Sequence, residues 1–213
     1  NPSKWGELNT HDPSIFKGGD MYYVFSTDAS YGDVHKSGVQ IRRSKDLVTW
    51  EYVGPAFENY AADAAEAIAY AKLDVSKNQG FWAPDVMKVG DTYRMYFSAS
   101  TFGSTRSCIA LAEADTVTGP YTFRGIVVES EANAVSFPNA IDPAIIYDES
   151  GRLFMSYGSF FGGIFMVALD DEIFAIASDG VVTRMEVRGI SSQGRDATGV
   201  KVMDVSGDRT VAA

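Results

Sequence analysis

Asp12-Pro13-Ser14-Ile15-Phe16-Lys17-Gly18-Gly19-Asp20-Met21-Tyr22-Tyr23-Val24-Phe25-Ser26 contains two short apolar-aromatic runs separated by a glycine turn. Such a stretch reads as a β-hairpin, because aromatic and β-branched residues suit a pleated surface and glycines suit the turn. The pattern returns twice. Ala83-Pro84-Asp85-Val86-Met87-Lys88 is followed by a Val-Gly-Asp turn and then Thr92-Tyr-Arg-Met-Tyr-Phe-Ser98. Asp142-Pro143-Ala144-Ile145-Ile146-Tyr147 is followed by Asp-Glu-Ser-Gly and then Arg152-Leu-Phe-Met-Ser-Tyr-Gly158. The prolines set the intervals, 84 − 13 = 71 and 143 − 84 = 59 residues.

Further strand-like sequence follows each hairpin. Gly38-Val-Gln-Ile-Arg-Arg-Ser44 leads to Trp50-Glu-Tyr-Val-Gly54, and Cys108-Ile-Ala-Leu-Ala112 leads to Tyr121-Thr-Phe-Arg-Gly-Ile-Val-Val128. Gly163-Ile-Phe-Met-Val-Ala-Leu169 leads to a less regular tail. A unit of about four strands is the make-up of a propeller blade. The expectation is therefore an all-β chain, residues 1–213, forming one partial β-propeller domain with units starting near 12, 83 and 142. Residues 58–74 are rich in Ala and Glu and poor in β-branched residues, so they read as a helical insertion. Units of 60–70 residues give about three blades, fewer than the roughly four a closed propeller needs. The chain is expected to be part of a larger molecule, or to complete a fourth blade poorly.

Composition narrows the function. The 213 residues carry 28 Asp+Glu against 18 Lys+Arg, a net charge of −10. An acidic surface argues against nucleic acid and anionic membranes, both of which reward a basic face. No apolar run approaches the roughly 20 residues that span a bilayer, and the start, Asn1-Pro-Ser-Lys-Trp5, has no signal-peptide core. The single cysteine, Cys108, has no disulfide partner in the chain, and His11 and His35 are too few for a His-rich zinc site.

In a propeller the first strand of each blade lines the axis, so Asp12 and Asp142 are expected to share one pocket, with Asp85 nearby. Paired carboxylates are what hydrolytic acid/base chemistry requires. Asp-Pro also caps turns, since aspartate bonds to local backbone and proline fixes φ. The repeat itself accepts Ala83 in the aspartate position, so it does not demand an acid there. Trp82, Phe102 within Ser100-Thr-Phe-Gly-Ser104, and Phe160 and Phe161 within Gly158-Ser-Phe-Phe-Gly-Gly163 place aromatics in Gly/Ser-rich loops. Flat faces at such positions suit the C–H edges of sugar rings.

Thr10-His-Asp-Pro-Ser-Ile15, Phe81-Trp-Ala-Pro-Asp-Val86, Ser100-Thr-Phe-Gly-Ser104, Asn139-Ala-Ile-Asp-Pro143 and Gly158-Ser-Phe-Phe-Gly-Gly-Ile164, in that order, resemble the family 43 glycoside hydrolases. The resemblance is greatest to endo-α-1,5-L-arabinanases and runs from about Trp5 to about Leu169. It implies a five-bladed β-propeller, of which this chain supplies about the first three blades, and hydrolysis with inversion. By motif, Asp12 resembles the general base and Asp142 the aspartate that raises and orients the general acid. Trp82 and Phe102 resemble sugar-stacking residues. Gly103, Asn139, Ala140, Ile141, Ser159, Phe160 and Phe161 fall in stretches that line the sugar subsites.

The resemblance also implies an axial ion, commonly calcium, held by a histidine and waters. His11 and His35 do not match that histidine, so no metal ligand is expected in this chain. The family's general acid is a glutamate in Glu-Gly-Pro or Glu-Ala-Pro, and no such motif occurs here. Glu186, in Arg184-Met-Glu-Val-Arg188, lacks the proline, and the acid is expected beyond Ala213. The implied substrate is arabinan, the implied location secreted, and the implied partner a second polypeptide if one completes the propeller. β-Xylosidase or α-L-arabinofuranosidase activity, and a non-catalytic sugar-binding propeller, stand as alternatives.

Overall fold

The computed structural model describes residues 9–31, 34–77, 79–131, 138–159, 161–169, 172–176 and 182–186, with backbone only for 29–31, 34–36, 172–176 and 182–186. The chain divides into two compact units, residues 1–167 and 168–213.

In the first unit β1 (Ser14–Gly18) and β2 (Met21–Ser26) form the first hairpin. A small hairpin of β3 (Ala29–Tyr31) and β4 (Val34–Lys36) follows, and β5 (Gln40–Ser44) and β6 (Glu51–Pro55) complete an antiparallel sheet in the order β1-β2-β5-β6. The alanine-rich stretch runs as α1 (Tyr60–Asp63) and α2 (Ala65–Ala71), which ends on Lys72 in the left-handed conformation at φ 55°. A 3-10 turn at Val75–Lys77 leads into β7 (Phe81–Val89). β8 (Thr92–Ala99), β9 (Ser107–Ala114) and β10 (Thr122–Ser130) complete a second sheet in the order β7-β8-β9-β10. β11 (Ala144–Tyr147), β12 (Leu153–Tyr157) and β13 (Phe165–Ala168) form a third sheet of three strands. In the second unit β14 (Glu172–Ile176) pairs antiparallel with β15 (Val182–Glu186).

Each of the three sheets begins with the strand of the repeated hairpin, and β7 lies against both β1 and β11. This is the radial stacking of propeller blades, with the first strands innermost. The main core fills the wedge between the first two blades. Phe57, Phe81 and Phe97 are fully buried there, with ring centroids 4.6–5.7 Å apart. Each such side chain contributes about 1.5–3 kcal/mol through burial. Ala67 and Ala71 of α2 close the wedge over Cys108, whose thiol burial pushes up to about 12. Gly38 has φ 99° and sits so close to the Phe57 carbonyl that a side chain there would collide with backbone.

The register across the inner hairpins brings the repeat into alignment. Ser14 pairs with Phe25, Asp85 with Tyr96 and Ala144 with Ser156. Thr27, Ser98 and Gly158 are therefore equivalent, as are Asp12, Ala83 and Asp142.

Candidate active site at the inner strand ends

Asp12, Ala83 and Asp142 have φ of 46°, 41° and 58°. All three precede a proline. Left-handed backbone in a non-glycine residue costs on the order of 1–3 kcal/mol, so something must hold it. In the second and third blades the holding group is a hydroxyl of the preceding blade. The Ala83 N–H donates to Thr27 Oγ1 (2.8 Å), and the Asp142 N–H donates to Ser98 Oγ (2.9 Å). In β7 the same turn appears as a bulge, where pairing skips from Trp82 to Asp85. The bend turns the residue before each proline out of the sheet.

The result is one hollow of about 290 Å³, lined by Asp12-Pro13-Ser14, Ala83-Pro84-Asp85 and Asp142-Pro143-Ala144. Asp12 is exposed, and its Oδ2 accepts the Thr27 hydroxyl at 2.6 Å. Because Thr27 Oγ1 already accepts the Ala83 N–H, its own hydrogen is committed to Asp12. Among the described residues the Thr27 hydroxyl is the hydrogen-bond partner found for this carboxylate, and it is held through Oδ2. The Asp142 carboxyl is raised above its ordinary value, first by partial loss of solvent and second by the negative charge of Asp12. Its side chain still reaches water. Asp85 is half-buried and bonded on both oxygens, by Ser14 Oγ (2.6 Å) and by the Ile145 N–H (2.7 Å).

Aromatic groups stand beside the hollow. Trp82 and Phe102 meet edge to face at 6.1 Å, and Phe102 is fully exposed. A phenyl ring so placed contributes nothing to the core and is available to a ligand. Gly103 is exposed with φ 79°, and Phe161 is half exposed. Ser159 is half-buried. Asn139, Ala140 and Ile141 are buried. Asn139 Oδ1 accepts Ser107 Oγ at 2.7 Å, and the Ala140 N–H donates to Ser130 Oγ, so this run shapes the approach to Asp142 from beneath. Phe160 lies outside the described residues, as do the side chains of His35 and Glu186.

Asp28 escaped the sequence reading. Its carboxylate turns inward and accepts N–H groups from Gly38 (2.8 Å), Val39 (2.5 Å) and Phe81 (2.8 Å), while its own N–H donates to the Phe81 carbonyl. Burial pushes it up to about 7, against the pull of those three donors. Gly80 packs directly on the carboxylate, where a side chain would overlap it. Thr27 and Asp28 thus clasp the start of β7 and fix Asp12. Neither carries a signal in Phe25-Ser-Thr-Asp28 that marks it apart from any polar strand end.

Among the described residues no three His, Cys, Asp or Glu side chains converge as a metal site, and His11 Nε2 is engaged with Asn9 Oδ1 (3.0 Å). The described residues do not offer a calcium set. Among them no helix is long and apolar enough to cross a membrane.

The model of the family "Glycosyl hydrolases family 43" matches residues 6–202. The extracellular endo-α-(1→5)-L-arabinanase of Thermotoga petrophila is 37% identical over 182 residues, covering 75% of this chain and 36% of that protein. The extracellular exo-α-(1→5)-L-arabinofuranosidase of Cellvibrio japonicus is 33% identical over 172 residues, covering 78% of this chain and 45% of that protein. Among solved structures, the Thermotoga petrophila endo-1,5-α-L-arabinanase aligns with TM-score 0.65 at 35% identity, over 76% of this chain and 38% of that one. The Bacillus subtilis arabinanase aligns with TM-score 0.65 at 28% identity, over 76% and 52%. The chain spans 36–50% of the length of these and other curated relatives. With its motifs in order and its three sheets matching part of a five-bladed propeller, the chain belongs to glycosyl hydrolase family 43.

Proposed function

We propose that this chain supplies two of the three carboxylates of an inverting hydrolase that cleaves α-1,5-linked arabinan internally. Asp12 is the general base: Thr27 holds one oxygen and leaves the other to take a proton from the attacking water. Asp142 is the modulator. Its negative charge disfavours ionisation of a neighbouring acid, which keeps that acid protonated for the leaving oxygen. The acid itself is a glutamate outside this chain, on a further part of the same protein or on a second polypeptide. Trp82, Phe102 and Phe161 stack on sugar rings, and Gly103, Asn139, Ala140, Ile141, Ser159 and Phe160 line the subsites.

The observation that supports this most is the convergence of Asp12 and Asp142 in one hollow, with Asp142 raised partly by Asp12. Four relatives that carry the extracellular description support a secreted protein acting on a polymer. Ile146, Ile164 and Met166 are exposed apolar side chains in and beside the third sheet that further blades would cover.

The test is hydrolysis of debranched arabinan by the complete protein, with products resolved by length. Mixed oligosaccharides from the earliest times, the α-anomer inverted, and no action on xylan are expected. Release of single arabinose units alone would replace endo cleavage with the exo activity described for the Cellvibrio japonicus relative. Sugar binding with no hydrolysis by the complete protein would leave a binding propeller.

A further inference from the structure

We propose that Asp85 is a positioning residue that sets the spacing of Asp12 and Asp142 by bridging the two strands that carry them. Its carboxylate reaches 71 residues back to Ser14 and 60 residues forward to Ile145. Ser14 follows Asp12 by two residues on β1, and Ile145 follows Asp142 by three on β11.

The three equivalent positions divide the work. Ser14 donates from β1 and Asp85 accepts twice on β7. Ala144, equivalent on β11, has no polar group, and the neighbouring Ile145 N–H serves in its place. The frame is directional, which the repeat does not require. Hydrogen bonds to a charged acceptor are roughly twice as strong as neutral ones, so an aspartate is the stiffest tie available to a half-buried group of this size. Ser14 and Asp85 line the hollow itself, and both bonds lie within three residues of the groups they place. Displacement of a reacting group by about 1 Å costs on the order of 10² in rate.

The kinetic half of the test rests on the function proposed above; the titration half does not. In the complete protein, Asp85→Ala is expected to lower kcat on debranched arabinan by about 10² with KM little changed. Ser14→Ala breaks one tie, keeps the charge and gives a smaller loss. Asp85→Asn restores most of kcat, because its amide oxygen accepts from Ile145 and its amide nitrogen donates to a turned Ser14 hydroxyl. Carboxyl NMR titration reads the same spacing without any substrate. Asp142 moves down toward its ordinary value in Asp85→Ala and Ser14→Ala, as Asp12 draws away, and stays raised in Asp85→Asn. Asp142 falling equally in Asp85→Asn and Asp85→Ala would make charge, not spacing, the cause and overturn the proposal. A rise in KM alone would make Asp85 a sugar contact and overturn it too, as would no change in any variant. Should the unmodified protein leave arabinan intact, the proposed function fails while the titrations still decide the role of Asp85.

Discussion

The first and second blades join on the same plan as the second and third, and the two junctions are finished differently. In both, a hydroxyl at the end of the second strand receives the N–H of a left-handed residue before proline, Thr27 for Ala83 and Ser98 for Asp142. In the first junction the receiving position holds alanine; in the second it holds aspartate. In the first the next residue is Asp28, half-buried with its carboxylate against three N–H groups; in the second it is Ala99, fully buried and apolar. The shared part belongs to the blade repeat. Ala83 shows that the strained turn forms without a carboxylate, so turn capping does not account for Asp12 and Asp142.

The largest effect follows from that difference. Replacing Asp12 or Asp142 with alanine copies the Ala83 solution into the other blades. Activity of the complete protein on arabinan should fall by about 10²–10⁴, while the melting temperature stays within a few degrees. Kinetics alongside thermal melts check this. A collapse of the fold in either variant would return both aspartates to a capping role.

Next is the clasp peculiar to the first junction. Gly80→Ala drives a methyl group into the Asp28 carboxylate and displaces it from its donors. A loss of about 3 kcal/mol is expected in chemical denaturation, with reduced activity because β7 carries Trp82 and Asp85. Ala substitution at Gly90, which unlike Gly80 is left-handed (φ 60°) but has open space around it, provides the comparison and should cost about 1 kcal/mol.

These contrasts also mark what the sequence makes legible. The hairpins announce themselves because strand periodicity and Gly turns are local, and Pro13, Pro84 and Pro143 set their phase. Asp12 and Asp142 are visible because equal positions in a repeat meet at the axis. The left-handed backbone before each proline is not legible, since proline ordinarily drives its predecessor toward extended backbone. Thr27, Asp28 and Ser98 stay hidden for another reason. Each has a partner 44–56 residues away, which only the closing of one blade on the next brings to it. Asp85 is visible as an acid near the pocket, yet its two ties are not. Asn139 looks like part of a sugar-binding motif, and its side chain is engaged inside with Ser107.

A smaller effect separates the junctions by pH. The Asp28 carboxyl has an ordinary value of 3.8 and is pushed up to about 7 in the fold. Between these values the unfolded chain releases its proton while the native chain keeps it. Stability is therefore greatest below pH 3.8 so far as this group is concerned, and declines as pH rises toward 7. Asp142, raised in the same direction, adds to the decline. Asp28→Ala gives the first junction the alanine of the second. It should cost about 1–3 kcal/mol through unmet N–H groups and flatten the profile between pH 4 and 7. Urea midpoints across that range are the measurement, and an unchanged slope would remove Asp28 from the pH response.

The smallest effect tests the shared plan itself. At φ 41° Ala83 carries a methyl group that glycine lacks, and its side chain makes no hydrogen bond to offset the strain. Ala83→Gly relieves that strain at the cost of a more flexible unfolded chain. The net gain should be below about 1 kcal/mol, read as a slightly higher melting temperature with activity unchanged. The same substitution at Asp12 or Asp142 should bring an equal or smaller gain, since aspartate tolerates this backbone better than alanine, together with loss of activity. Equal stability changes at all three sites would confirm one backbone plan carrying three side chains, with catalysis confined to the two that are acids. A loss of stability in Ala83→Gly would mean that the Ala83 methyl group is packed more tightly than its half-buried position suggests.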